Sequence, residues 1–242
     1  MKVVGTTKDR RKVYLPATLD EYYRGTAKRF AHIDRIQIDY EPEDFSDGSF
    51  EVMGGVVAAD FSLLRAFLAD HEGALFVCLS ALGSVIELFF PAYFYGFVED
   101  TFARAIHHKI EGPGFACREC VGKRELRLRE YDRLLRLVGE DEPKEGIWMA
   151  LSRLRSPVAL AEAHRMQYQD FLQQHDRLAL SVLAETPEMG MAALTYLTEE
   201  KLLSDEAVAE ILPLLSEHRQ AGMVAILLSY RQQTQKRRRL VI

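Results

Sequence analysis

The sequence predicts an α+β N-terminal domain followed by an all-α C-terminal domain. Three observations carry this expectation. Short apolar runs with period two, bounded by glycine and proline, alternate with brief helical patterns through the first half of the chain. The segment 139–146, Gly-Glu-Asp-Glu-Pro-Lys-Glu-Gly, then interrupts with two glycines, a proline and no core-forming side chain. Beyond it, every segment follows helical periodicity. The division reads as 1–139 for the mixed domain, 147–235 for the helical domain and 236–242 for a basic tail. With 242 residues, 48% hydrophobic and 28% charged, the composition is that of an ordinary globular protein, which excludes disordered, collagen-like and low-complexity classes.

Taken in order, Lys12-Val13-Tyr14-Leu15 reads as a short strand ending at Pro16. Thr18-Leu19-Asp20-Glu21 is a capping box, in which Thr18 accepts from an early helix N–H while Glu21 reaches back. Leu19, Tyr22, Tyr23, Phe30 and Ile33 suit the helix that follows. Residues 35–40 alternate as a half-buried strand does, and 41–49 form an acidic, turn-rich loop. Residues 50–58 read as a strand broken by Gly54-Gly55, and Asp60 or Ser62 caps a short helix over 63–69. Residues 93–110 read as a helix closed by Gly112-Pro113-Gly114, and 121–138 as an amphipathic helix with Val121, Leu128, Tyr131, Leu135 and Val138 on one stripe. Trp148 is expected to anchor the boundary segment onto the helical half. Ser156-Pro157 reads as a cap with proline at the first helical position.

The stretch 74–98 has nineteen apolar residues of twenty-five and one charge, Glu87. Its length permits a membrane span. However, Gly83-Ser84 and Pro91 interrupt it, its flanks are acidic, and its β-branched and aromatic runs point to a buried strand–turn–strand. Glu87 is expected to face solvent or to pair with a basic residue. Three cysteines and no early apolar segment favour a reduced, cytoplasmic protein over a secreted one. The net charge of −5 argues against a surface wholly devoted to nucleic acid. That charge is uneven: 1–40 holds nine basic and five acidic residues, 41–100 holds Arg65 against eleven acids, and 118–136 turns basic again. Such polarity suits solvated faces, or oriented docking between acidic and basic patches.

Gly190-Met191-Ala192-Ala193-Leu194-Thr195-Tyr196 repeats as Gly222-Met223-Val224-Ala225-Ile226-Leu227-Leu228, 32 residues later. A period of this size points to stacked helical hairpins. Between the copies, Ser204 caps a helix bearing Ala207, Val208, Ile211, Leu214 and Leu215, which Pro213 should kink or end early. Residues 217–221 then turn into a second helix. The segment resembles an ankyrin repeat, with Thr186-Pro187 at its opening and Glu188-Met189 where that family carries Leu-His. The resemblance implies stacked helix pairs with a groove for a protein partner.

Cys117-Arg118-Glu119-Cys120 is a Cys-x-x-Cys that could chelate Zn²⁺ from a tight turn. The remaining cysteine, Cys78, lies in Cys78-Leu79-Ser80-Ala81-Leu82-Gly83, which resembles the first knuckle of a zinc ribbon with Ala81 at the second ligand position. The resemblance implies a zinc-ribbon-like hairpin with zinc held by Cys78, Cys117, Cys120 and His107, or by His108 in its place. Two alternatives stay open: buried cysteines with a hydrophobic role, and a redox pair activated at a helix start. His164 and His175 have no carboxylate fixed nearby in sequence. Dinucleotide, Walker, nucleophile-elbow and zincin motifs are all missing. Three functions are therefore expected in order. The first is a non-enzymatic protein–protein interaction protein built on the helical repeat, with an unidentified protein partner. The second is a zinc-ribbon-like nucleic-acid-binding regulator using Arg129, Arg133 and Arg136 on one helix face. The third is a thiol-dependent enzyme around Cys117 and Cys120.

Overall fold

The structure, a computed structural model, describes residues 1–24, 32–41, 51–81, 83–100 and 105–240, with backbone alone at 51–52, 98–100, 105–108 and 235–240. An N-terminal mixed-sheet region precedes an all-helical one. The chain packs as two units, Met1–Arg165 and Met166–Ile242.

In chain order the first unit contains β1 (Lys2–Thr7), β2 (Lys12–Tyr14), α1 (Leu19–Arg24), β3 (Ile33–Tyr40), β4 (Glu51–Met53), β5 (Val56–Ala58), α2 (Ser62–Asp70), β6 (Leu75–Ala81), β7 (Ser84–Phe90), β8 (Phe94–Asp100), β9 (Ala105–Glu111), α3 (Gly114–Glu119), β10 (Glu125–Arg127), α4 (Leu128–Arg133), α5 (Leu135–Asp141) and α6 (Pro143–Arg155). Five strands form a mixed sheet in the order β2-β1-β3-β6-β7. Only β3 and β6 run parallel, which requires a crossover; the β4–β5 hairpin and α2 supply it. The register aligns Val3, Ile38, Leu79 and Ile86 across four strands, with Ile36, Val77 and Leu88 beside them. All seven are buried, so alternation puts one apolar face of the sheet in the core. Gly5 completes that face beside Ile36, and a Cβ there would come within 2.9 Å of Ile33 Cδ1.

The other face carries Arg35, Phe76, Cys78, Glu87 and Phe89. Arg35 lies 5.5 Å from the Phe76 ring centre, and Phe76 meets Phe89 and Trp148 at 4.7 and 5.2 Å. Trp148 therefore anchors α6 to the sheet and not to the helical half. The predicted boundary at 139–146 is likewise helical, forming the end of α5 and the start of α6 within the first unit. Strand β7 is an edge, and its free backbone is covered. The buried Tyr131 hydroxyl donates to Phe89 O and accepts from Phe89 N–H, while Ser156 Oγ donates to Val85 O.

Several expectations need correction. The described residues of 93–110 form no helix: β8 and β9 make an antiparallel ribbon instead, in keeping with the β-forming run Phe-Tyr-Gly-Phe-Val. The helix expected over 121–138 is broken. Residues 121 and 126 bridge, β10 follows, and α4 and α5 meet at Leu134, so Arg129 and Arg133 do not share one continuous helix with Arg136. Ile33 begins β3 rather than continuing α1, while Phe30 and the acidic 42–50 stretch lie outside the described residues. Ser156 caps the end of α6, and the next helix begins only at Glu162. The Thr18 half of the capping box is present, Glu21 N–H donating to Thr18 Oγ1 at 3.2 Å, while the Glu21 carboxylate reaches one residue further back and accepts from Ala17 N–H at 3.0 Å. The 74–98 hairpin is present as β6–β7, and Glu87 pairs with Arg155 at 3.5 Å. Among the described residues no helix is long and apolar enough to cross a membrane.

The helix α7 (Glu162–Gln174) runs on into the second unit, which contains α8 (Asp176–Glu185), α9 (Pro187–Glu199), α10 (Asp205–Glu217) and α11 (Ala221–Leu240). Helices α8 and α9 pair, as do α10 and α11; α8 packs on α10 and α9 on α11. Ser204 caps α10, its Oγ accepting from Ala207 N–H at 3.1 Å. Pro213 sits inside α10 on its exposed side, and the helix continues to Glu217. Its early end was not realised.

Candidate functional site

The three cysteines fall into two places. Cys78 sits mid-β6 on the half-buried face, opposite Glu87 in register. Burial, and then the Glu87 carboxylate, push its thiol pKa up. Cys117 lies within α3 and Cys120 at its C-terminal cap, and both are buried. Burial pushes each of these thiols up to about 12, with further contributions from Cys120 at Cys117 and from Glu130 at Cys120. Both are therefore protonated at neutral pH and are poor nucleophiles. All three cysteines are described, and they do not converge: among the described residues no three His, Cys, Asp or Glu side chains form a group able to hold a metal. His107 lies on β9, with its side chain outside the description. The expected set of Cys78, Cys117, Cys120 and His107 therefore extends beyond the described side chains, and no step is routed through a metal.

Within the Cys-x-x-Cys, the residue that organises most of its surroundings is Arg118, which is buried beneath Tyr93. Its Nε donates to Leu68 O and His71 O, both at 3.2 Å; one terminal nitrogen donates to Pro91 O and Gly114 O, at 2.5 and 2.9 Å; the other donates to His71 O and Gly73 O, at 2.9 and 2.7 Å. The guanidinium carbon lies 4.6 Å from the Tyr93 ring centre. Three of these carbonyls follow or close α2, so the negative end of that helix faces the charge. Burial lowers the Arg118 pKa to about 10, which leaves the group cationic at neutral pH. Gly114 permits this approach, because a Cβ there would meet Pro91 O at 2.0 Å.

Arg118 forms one wall of a cleft of about 240 Å³ between α2, β8 and α3. Leu68, Tyr93, Tyr95 and Phe115 supply apolar walls, and Arg65, Glu72 and Glu119 lie at its charged positions. With its nitrogens committed to carbonyls, Arg118 shapes the cleft instead of offering it donors. A space of this size and lining suits one aromatic or aliphatic group. Beside it, Phe94 and Phe97 of the β8–β9 ribbon are 55% and 64% exposed.

A second buried ion cluster was not legible from spacing. Arg153 on α6 donates to both oxygens of Asp132 on α4, Nε to Oδ1 at 2.7 Å and a terminal nitrogen to Oδ2 at 3.1 Å, and both side chains are fully buried. Its other bonds reach Ser156 O and Val158 O at 3.0 and 3.1 Å. His164 Nδ1 lies 3.9 Å from Asp132 Oδ2, beyond hydrogen-bonding distance. The carboxylate is thus committed to the arginine, and the cluster joins α4, α6 and the segment after it. The one sequence signal was an arginine set among Ala150, Leu151 and Leu154, and an aspartate beside the apolar Leu128–Tyr131–Leu135 stripe. His175 instead keeps its Nδ1 2.9 Å from Phe171 O.

In the helical unit, the repeated Gly-Met dipeptides meet each other. A Cβ added at Gly190 would lie 3.2 Å from Met223 Cε, and one at Gly222 would lie 3.0 Å from Met191 Cε. Each copy's glycine accommodates the other copy's methionine, which ties α9 to α11. Gly190 is also held against the backbone of α8, 2.5 Å from Leu183 O by the same measure. Arg177 on α8 pairs with Glu210 on α10 at 3.2 Å, and Gln220 donates to Ala184 O at 2.8 Å. The chain matches no known protein family, no curated protein and no solved structure.

Proposed function

We propose that this chain is a non-enzymatic partner-binding protein whose helical unit is an ankyrin-like stack of two helix pairs. The observation that carries this reading is the reciprocal seating of Met223 at Gly190 and Met191 at Gly222. It supports reading the sequence repeat as a structural one, since the corresponding helices pack on each other, α8 on α10 and α9 on α11. Stacked pairs of this kind hold an extended surface rigid for a protein partner. The face of the two first helices, carrying Arg177, Glu206 and Glu210, is the docking surface in this reading. The thiol-enzyme alternative is disfavoured by the high thiol pKa values of Cys117 and Cys120. The nucleic-acid alternative loses its basic stripe, since the helix is broken at Leu134 and Arg136 pairs with Glu140 at 2.8 Å.

The test uses the full chain as bait beside an Arg177→Glu/Glu206→Arg variant. A stoichiometric protein partner retained by the native chain and lost by the folded variant is the expected result. Identical capture by both would contradict the assignment of this face.

A further inference from the structure

The cleft between α2, β8 and α3 constrains its occupant in size, charge and hydrogen bonding. Its volume of about 240 Å³ exceeds the roughly 150 Å³ of an apolar cavity that holds benzene, and the surplus is that of a second, fused ring. Leu68, Tyr93, Tyr95 and Phe115 make its walls, which suits a flat apolar body. Those walls are fixed by the protein's own contacts. Tyr93 N–H donates to Glu72 O at 2.8 Å and the Tyr93 hydroxyl donates to Ala69 O at 3.3 Å, which ties the start of β8 to the end of α2. The Phe115 ring centre of α3 lies 5.7 Å from that of Tyr93.

Two arginines and two glutamates line the cleft, so its formal charges balance. Arg65 faces Glu119 at 3.8 Å, and the Glu72 carboxylate acts on Arg118 and helps to keep it protonated. A charged ligand would lose hydration here without meeting an unbalanced counter-charge. Hydrogen-bond donors of the lining are largely spent: those of Arg118 on carbonyls, the Tyr93 hydroxyl on Ala69 O, and one terminal nitrogen of Arg65 on Val121 O at 2.6 Å. The acceptors are not. Neither the Glu72 nor the Glu119 carboxylate accepts a hydrogen bond from any described residue, and both residues are exposed, which places them at the mouth.

We propose that this cleft is a binding site for a small uncharged aromatic molecule of about the size of indole, carrying one N–H or O–H donor. Its rings lie among Leu68, Tyr93, Tyr95 and Phe115, and its donor is directed to the carboxylates at the mouth. Every lining residue belongs to the first unit, so the site is independent of a protein partner on the helical unit.

Calorimetric titration of the full chain with indole tests this. Benzofuran keeps the shape without the donor, tryptamine adds an ammonium, and indole-3-acetate adds a carboxylate. The expected result is an indole Kd below about 1 mM, with benzofuran about tenfold weaker and neither charged relative tighter than indole. In a Glu72→Ala/Glu119→Ala variant the indole affinity should fall to that of benzofuran, whose own affinity stays unchanged. Ala69→Phe, at an exposed helix position, fills the cleft and should abolish binding of both. Circular dichroism matching the native chain shows that each variant is folded. A native chain that takes up no indole overturns the proposal. So do equal affinities for indole and benzofuran, a charged relative that binds tighter than indole, or binding that survives Ala69→Phe.

Discussion

The two units are held together by different means. In residues 1–165 the most constrained positions are buried ionic groups, Arg118 wrapped in carbonyls and Arg153 clamped on Asp132. In 166–242 the corresponding positions are apolar, with methionine ends seated against glycines. A buried charge contributes little net stability but costs a great deal when its partner is removed. Hydrocarbon packing costs in proportion to the cavity left behind. The first unit is therefore fixed in one arrangement by a few polar contacts, whereas the second is a stack that can be extended.

The largest effect should come from breaking an ionic clamp. Asp132→Ala strands Arg153 in the core and is expected to cost about 3–5 kcal/mol, measured as lost hydrogen-exchange protection across α4 and α6. A stability within experimental error of the native chain would remove the contrast. Met223→Ala should cost about 3 kcal/mol, since the side chain is buried; Met191→Ala, at a 37% exposed position, should cost well under half of that by urea titration.

The glycines sharpen the comparison further. Gly190→Ala forces a Cβ onto the Leu183 carbonyl and is expected to cost about 2 kcal/mol. Gly222→Ala meets only the movable end of Met191 and should change stability by less than about 0.5 kcal/mol. Equal effects at the two sites would mean that the interlock is not asymmetric. The smallest effect concerns pH. His71 is buried, with Nε2 2.6 Å from Ile33 O and Nδ1 3.1 Å from Gly73 O; burial lowers its pKa, and nearby Arg118 acts in the same direction. The unfolded chain then takes up the proton first as pH falls, so stability declines below the ordinary histidine pKa of about 6.5. Urea midpoints should drop from neutral to mildly acid pH, and His71→Gln should flatten that slope.

Much of the fold was legible because it depends on local pattern. The alternation at 35–40, the Gly83 turn, the Thr18 and Ser204 caps and the Gly-Met repeat each carry their geometry in adjacent residues. What was not legible depends on distant partners. Residues 93–110 are aromatic-rich and fit either period, and only pairing between β8 and β9 decides for strand. The polar 139–146 segment looks like a linker because its lack of apolar side chains says nothing about the helices that contain it. The cysteine spacing drew the eye to the two thiols, whereas the buried contacts of Arg118 between them run to carbonyls that no sequence pattern records. The Asp132–Arg153 clamp spans 21 residues and two helices, beyond any periodic signal.

The central claim is that the two helix pairs form one interlocked stack. Native-state hydrogen exchange on Met223→Ala tests it most directly. Loss of protection in α8 and α9 together with α10 and α11 is the predicted result, because each pair seats a methionine of the other. Loss confined to α10 and α11, with α8 and α9 as protected as in the native chain, would contradict it.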